Sequence, residues 1–165
     1  PAYEMMEHIA IKHGSEEYLD SEKYQLRYRP FKELDGPNSL RDFIALINRI
    51  RKRNPALQAD RRLRFHEIGN DQLICYSKST DDLANVIVVV VNLDPNYTQS
   101  GWTNLDLEAL GVDSQQSFQV RDLLTGANYN WNGPHNYVEL NPHRLPAHVM
   151  RLKRHPHTER DFDTF

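Results

Sequence analysis

At 165 residues the chain has room for one well-filled core, or for a domain with an appended piece. Hydrophobic residues at 39% and charged residues at 26% exclude a disordered chain. A formal net charge of −3 produces no strong field of either sign, which removes nucleic acid and anionic membrane from the default partners.

The chain opens Pro1-Ala2-Tyr3-Glu4, with neither an initiating Met nor a signal-peptide pattern, and so reads as cut from something longer. Residues 1–38 have no clean period. A loop of that length without its own structure is unusual inside a compact domain, and suggests a functional loop or a segment whose packing partner lies elsewhere. A helix is expected over 39–54. Ser39 is its N-cap, with Asp42 able to complete a box-like pairing. Leu40, Phe43, Ile44, Ile47 and Ile50 form one apolar stripe. Arg49, Arg51, Lys52 and Arg53 oppose the carbonyl dipoles of the last turn, and Pro55 stops the helix.

From Arg62 onward the pattern is β. Residues 63–68 alternate through Leu63, Phe65 and, less cleanly, Glu67. The turn Gly69-Asn70-Asp71 leads into 73–77, which predicts a hairpin. The β-branched run 86–93 predicts a central strand buried on both faces, and it is far too short to cross a bilayer as a helix. Further strands are expected at 98–103, 118–122, 128–131, 137–140 and 148–152. They are separated by Asp94-Pro95-Asn96, Gly111, Thr125-Gly126, Gly133-Pro134 and Asn141-Pro142, with one helical turn at 107–110. The class is therefore mainly β, an antiparallel β-sandwich preceded by an irregular segment and one α-helix. The tail 154–165 is polar and expected to fray.

The residue types offer several chemistries. Glu16, Glu17, Asp20 and Glu22 could supply a carboxylate pair for acid-base work on a glycosidic bond, but nothing in the sequence sets their separation, and a solvated loop is the simpler reading. The eight histidines have no zinc-like spacing, and Cys75 has no cysteine partner, so no metal site is expected. Cys75 reads as a buried small hydrophobe. A single cysteine also excludes an intrachain disulfide and fits a reducing cytoplasm. The basic cluster from Arg49 to Arg64 lacks interleaved aromatics and reads as helix-end charge plus a solvated strand edge. Trp102, Tyr129, Trp131 and Tyr137 lie in or near strands. Sugars stack on exposed rings, yet aromatics in strands more often fill cores, and core is expected for most of these.

Gly14-Ser15-Glu16-Glu17-Tyr18-Leu19-Asp20-Ser21-Glu22-Lys23-Tyr24 resembles a signature of the maltose-1-phosphate maltosyltransferases of the α-amylase superfamily. Similar, and in the same order, are Ser39-Leu40-Arg41-Asp42-Phe43-Ile44, Asn54-Pro55-Ala56-Leu57 and Val89-Val90-Val91-Asn92-Leu93-Asp94-Pro95. Asp122-Leu123-Leu124-Thr125-Gly126, Trp131-Asn132-Gly133 and Pro146-Ala147-His148-Val149 follow. His8-Ile9-Ala10-Ile11-Lys12-His13 departs from the pattern, and Arg27-Tyr28-Arg29-Pro30 matches it loosely.

The resemblance implies a (β/α)8 barrel followed by an amylase-type carboxy-terminal sandwich. Residues 1–58 would be the barrel's remnant (the loop after strand 8 and the last helix), 59–153 the sandwich and 154–165 the tail. It implies transfer of maltosyl units from maltose 1-phosphate to an α-1,4-glucan, with retention and without a cofactor. The catalytic carboxylates would precede Pro1, so no catalytic residue is expected here, and the chain alone should be inactive. Lys23 and Tyr24 match donor-sugar contacts, with Asp20 and Glu22 as orienting partners. The helix stripe, without a barrel, must pack on the sandwich, self-associate or stay exposed, and a homodimer is one of the expected outcomes. Two other functions stay open, a glucan-binding module using Trp102 or Trp131, and the terminus of an α-amylase-type hydrolase.

Overall fold

The computed structural model describes residues 3–19, 26, 28–36 and 39–153. The chain forms two compact units that divide between Ile50 and Arg51. Among the described residues no helix is long and apolar enough to cross a membrane.

In the first unit, single 3₁₀ turns form at Tyr3–Met5 and Phe31–Asp35, and an isolated antiparallel bridge joins Ala10 to Tyr18. Helix α1, Arg41–Arg53, starts in this unit. Ser39 caps it as expected, its Oγ accepting the Arg41 N–H at 3.1 Å. The box with Asp42 does not form. The Ser39 N–H donates to the Gly36 carbonyl at 3.2 Å, and the Asp42 carboxylate accepts from Arg41 Nε at 3.3 Å. An aspartate is one methylene shorter than the glutamate that usually reaches back in such a box. Burial deepens along the apolar stripe from Phe43, which is exposed on the first turn, through Ile44 and Ile47 to the buried Ile50.

The second unit is the sandwich. Its strands are β1 Arg64–Ile68, β2 Leu73–Ser79, β3 Val86–Asn92, β4 Gln99–Asn104, β5 Ser117–Asp122, β6 Asn128–Asn132, β7 Tyr137–Leu140 and β8 Ala147–Lys153. They pair antiparallel in one curled eight-stranded sheet of order β6-β5-β8-β3-β2-β1-β4-β7. Curling brings the far ends of the sheet face to face. Thr103 on β4, fully buried, ties them: its N–H donates to the Asn136 carbonyl at 3.0 Å and its hydroxyl to the Pro134 carbonyl at 3.1 Å.

Strand β3 is central and buried on both faces, as its continuous apolar run predicts. Val86, Val88 and Val90 point into the main core with Leu73, Cys75, Phe118, Trp131, Leu140 and Met150. Ile87 and Val89 point the other way and pack with Ala56. Each fully buried valine contributes about 1.5–3 kcal/mol of transfer free energy. Ala56 belongs to a 3₁₀ turn, Pro55–Gln58, held to the sheet by Asn85, whose Oδ1 accepts the Ala56 N–H at 3.0 Å and whose Nδ2 donates to Asn54 Oδ1 at 3.1 Å.

One strand runs opposite to its sequence pattern. The alternation through Leu63, Phe65 and Glu67 suggests that this set faces inward, yet all three are exposed and His66 is buried, paired in register with Cys75. A histidine can be buried because both ring nitrogens are satisfied. The Asp106 N–H donates to Nδ1 at 3.2 Å, so the proton sits on Nε2, which donates to Ser77 Oγ at 2.7 Å. Burial holds the imidazole pKa below its ordinary value and keeps the ring neutral.

Candidate functional site

Lys23, Tyr24, Asp20 and Glu22 lie outside the described residues. Their flanks are described. Leu19 N–H donates to the Ile9 carbonyl at 2.6 Å and Ile11 N–H to the Glu17 carbonyl at 2.9 Å, so the chain entering the loop runs as one arm of a short ladder. Tyr3 and Tyr18 meet edge to face at 5.9 Å. On the return side Arg29 forms a bidentate pair with Glu7, Nε to Oε1 at 2.7 Å and Nη2 to Oε2 at 2.9 Å. Both ends of the loop are therefore tied to the same stretch, 7–9. The Glu7–Arg29 pairing has no local sequence signal, because 22 residues separate the two.

The aromatic side chains reverse an expectation. Trp131 is core, 6% exposed and edge to face with Phe118 at 6.1 Å, but Trp102 is 59% and Tyr137 49% exposed, and Tyr129 is exposed as well. Most of this set is thus outside the core. The cause is the period of two. On β4, Gly101 and Thr103 point inward, so Trp102 must point out, and it faces Tyr137 across the β4–β7 ladder at 5.6 Å with the ring planes 60° apart.

Several segments that carry the family resemblance prove to be turn and core devices. Asp122, fully buried at the end of β5, accepts from Thr125 Oγ1 at 2.6 Å, His148 Nδ1 at 3.1 Å, and the Leu124 and Val149 N–H groups at 3.2 Å. Asp122-Leu123-Leu124-Thr125-Gly126 and Pro146-Ala147-His148-Val149, far apart in sequence, therefore meet on one carboxylate. Gly126 closes the turn at φ +81°, a backbone conformation that favours glycine, and donates its N–H to the Asp122 carbonyl at 2.8 Å. Asn92 similarly ties the end of β3 by donating to the carbonyls of Tyr97 and Leu140, each at 3.0 Å.

The histidines take structural roles at His66 and His148, and among the described residues no group of three or more His, Cys, Asp or Glu side chains is placed to hold a metal ion. The Arg61, Arg62 and Arg64 guanidinium groups lie on the strand edge beside Asp81, Ser79 and Asp106 respectively. Cys75 is buried, and burial pushes its thiol up to about 12.

The family model described as "GLGE, C-terminal" matches residues 65–152, more than half of the chain. The chain belongs to the GLGE C-terminal family. That match covers the sandwich from Phe65 on β1 to Leu152 on β8. Curated relatives extend the likeness through the first unit. The α-1,4-glucan:maltose-1-phosphate maltosyltransferase of Corynebacterium glutamicum is 49% identical over 160 residues, 96% of this chain and 24% of that protein. The one of Chlorobaculum tepidum is 46% identical over 158 residues, 92% of this chain and 23% of that protein. The GLGE C-terminal chain thus spans about a quarter of the length of these relatives. Among solved structures, the α-amylase of Geobacillus thermoleovorans complexed with acarbose shares the fold at TM-score 0.52 and 18% identity, over 78% of this chain and 25% of that one.

Proposed function

We propose that this chain serves as the carboxy-terminal part of a retaining α-1,4-glucan:maltose-1-phosphate maltosyltransferase, in which the sandwich supports a catalytic barrel and residues 1–58 are the chain leaving its last strand. The observation that carries this reading is the collinear similarity, across 96% of the chain, to a protein bearing that name. The donor is maltose 1-phosphate and the acceptor an α-1,4-glucan. A retaining displacement needs a carboxylate nucleophile and a carboxylic acid/base flanking one glycosidic bond. In this reading both belong to polypeptide numbered ahead of Pro1, so the chain by itself turns nothing over.

Lys23 and Tyr24 contact the donor sugar. The ammonium donates to hydroxyls, and the phenol offers both a ring face and a hydroxyl. Asp20 and Glu22 orient them. The bidentate Glu7–Arg29 pair and the Leu19–Ile9 hydrogen bond support this role by tying both ends of that loop. The enzyme works in the cytoplasm as a homodimer, without nucleic acid or membrane as partner and without a cofactor; the tail 154–165 lies outside the described residues.

The test is phosphate release from maltose 1-phosphate with glycogen as acceptor. The enzyme that carries this chain at its carboxy end releases phosphate, and the 165-residue chain alone does not exceed buffer. Lys23→Ala in the enzyme raises the KM for maltose 1-phosphate. Release by the isolated chain, or unchanged kinetics in Lys23→Ala, would overturn the corresponding assignment. Maltose appearing in place of elongated glucan would reassign the parent to hydrolysis.

A further inference from the structure

In this chain the outer face of β4–β7 is exposed and carries two aromatic rings, Trp102 and Tyr137. Antiparallel register puts Ser100 opposite Glu139 and Trp102 opposite Tyr137 on the same outer face of β4–β7, and Asn104, two residues beyond Trp102, lies opposite Glu67 of β1. Two half-exposed rings thus sit in a lane bordered by Glu139 at one end and by Asn104 and Glu67 at the other. The Tyr137 hydroxyl donates to Glu139 Oε2 at 3.2 Å, and Asn104 Nδ2 donates to Glu67 Oε2 at 3.2 Å. The backing is stiff. The Trp102 carbonyl accepts the Gly69 N–H at 3.0 Å. Beneath it, a Cβ on Gly101 would meet the Ile68 and Leu73 side chains at 3.3 Å, so the strands approach too closely there for the platform to sink.

We propose that this face is a non-catalytic α-glucan-binding surface, with Trp102 and Tyr137 as stacking rings and Glu67, Asn104 and Glu139 as hydroxyl partners. The choice of an α-linked glucan rests on the maltosyltransferase reading; the surface chemistry supports a neutral sugar independently of it. A sugar presents C–H groups to a ring and hydroxyls to its sides, and this lane offers rings at the centre and acceptors and an amide at the rim. Two carboxylates disfavour nucleic acid and other polyanions.

The experiment uses the 165-residue chain. Native electrophoresis through gels cast with glycogen reads retention, and maltoheptaose titration reads tryptophan emission. The chain has two tryptophans, and Trp131 is buried, so a saturable emission change reports Trp102. Retardation by glycogen is expected, with the Kd for maltoheptaose weakened about tenfold in Trp102→Ala, equivalent to about 1.4 kcal/mol. Tyr137→Ala should show a comparable loss, and serves if Trp102→Ala does not reach a cooperative thermal melt. Equal retardation of wild type and both variants overturns the proposal, as does absence of retardation. Equal binding of cellohexaose overturns the α-linkage. A Trp102-dependent dimer in sedimentation shows a second copy on this face and overturns it too. The maltosyltransferase reading is judged separately by phosphate release, so these binding results leave it untouched.

Discussion

Replacing Asp122 by alanine should be the most damaging single change in the sandwich. Its carboxylate is fully buried and takes hydrogen bonds from Thr125, His148 and the Leu124 and Val149 amides. Alanine would leave all of these donors facing a cavity. A donor left unsatisfied in the interior costs about 1–3 kcal/mol, and several donors lose their acceptor at once, with local relaxation keeping the total below the simple sum. A loss of about 3–5 kcal/mol follows, which lowers the Tm of a unit this size by about 10–20 °C. Asp122→Asn keeps the volume, and its remaining carbonyl can still accept the two amides, so it should lose only about 1–2 kcal/mol.

The pH dependence separates charge from shape at Asp122. Burial alone would raise the carboxyl pKa, but the hydrogen bonds from His148, Thr125 and Leu124 outweigh it and hold the pKa below the ordinary carboxylate value. A carboxyl depressed on folding adds stability that is fully present above its unfolded value of about 3.9 and is lost as pH falls through the lower, folded value. Wild type should therefore lose stability steeply below about pH 4, and Asp122→Asn less steeply. Calorimetry or urea melts across that range measure both. A loss in Asp122→Ala under about 1 kcal/mol, or identical acid limbs for wild type and Asp122→Asn, would refute the reasoning.

Asn85→Ala removes the acceptor of the Ala56 N–H and should loosen residues 55–58; hydrogen exchange there should speed up by about tenfold or more, while the interior of β3 keeps its protection. Uniform acceleration through β3 would show instead that Asn85 supports the whole sheet. Cys75 should not react with a thiol reagent in the native state at about pH 8, since the thiolate is the reactive form and burial keeps the thiol protonated. It should react fully in denaturant, and native labelling at the rate of an open thiol would contradict its burial.

The strands were legible because each is short, alternating or continuously apolar, and bounded by turn residues. The β-branched run ending at Asn92 even disclosed its two-sided burial. The helix and its cap at Ser39 were legible for the same local reasons. Errors arose where the answer depended on the partner strand. The alternation singles out Leu63, Phe65 and Glu67, yet the register with β2 buries His66 against Cys75, and the nitrogens of that ring find partners at Ser77 and Asp106, distant in sequence. Core is the expectation for most of Trp102, Tyr129, Trp131 and Tyr137, with Trp102 or Trp131 left open as a stacking ring, and among them Trp131 alone is buried. Which face a strand turns inward is decided by its neighbours, and the ring faces became a surface only when β4 paired with β7.

Local patterns established the mainly β class and the succession of strands along the chain, since hydrophobic period and turn chemistry act over a few residues at a time; the kinship rested on the segments that resemble the maltosyltransferases. Folding decided which of the distant segments meet, as when two of them converge on Asp122, and which aromatic rings face outward. Those relations depend on pairing between strands dozens of residues apart, and no nearest-neighbour preference records such a separation.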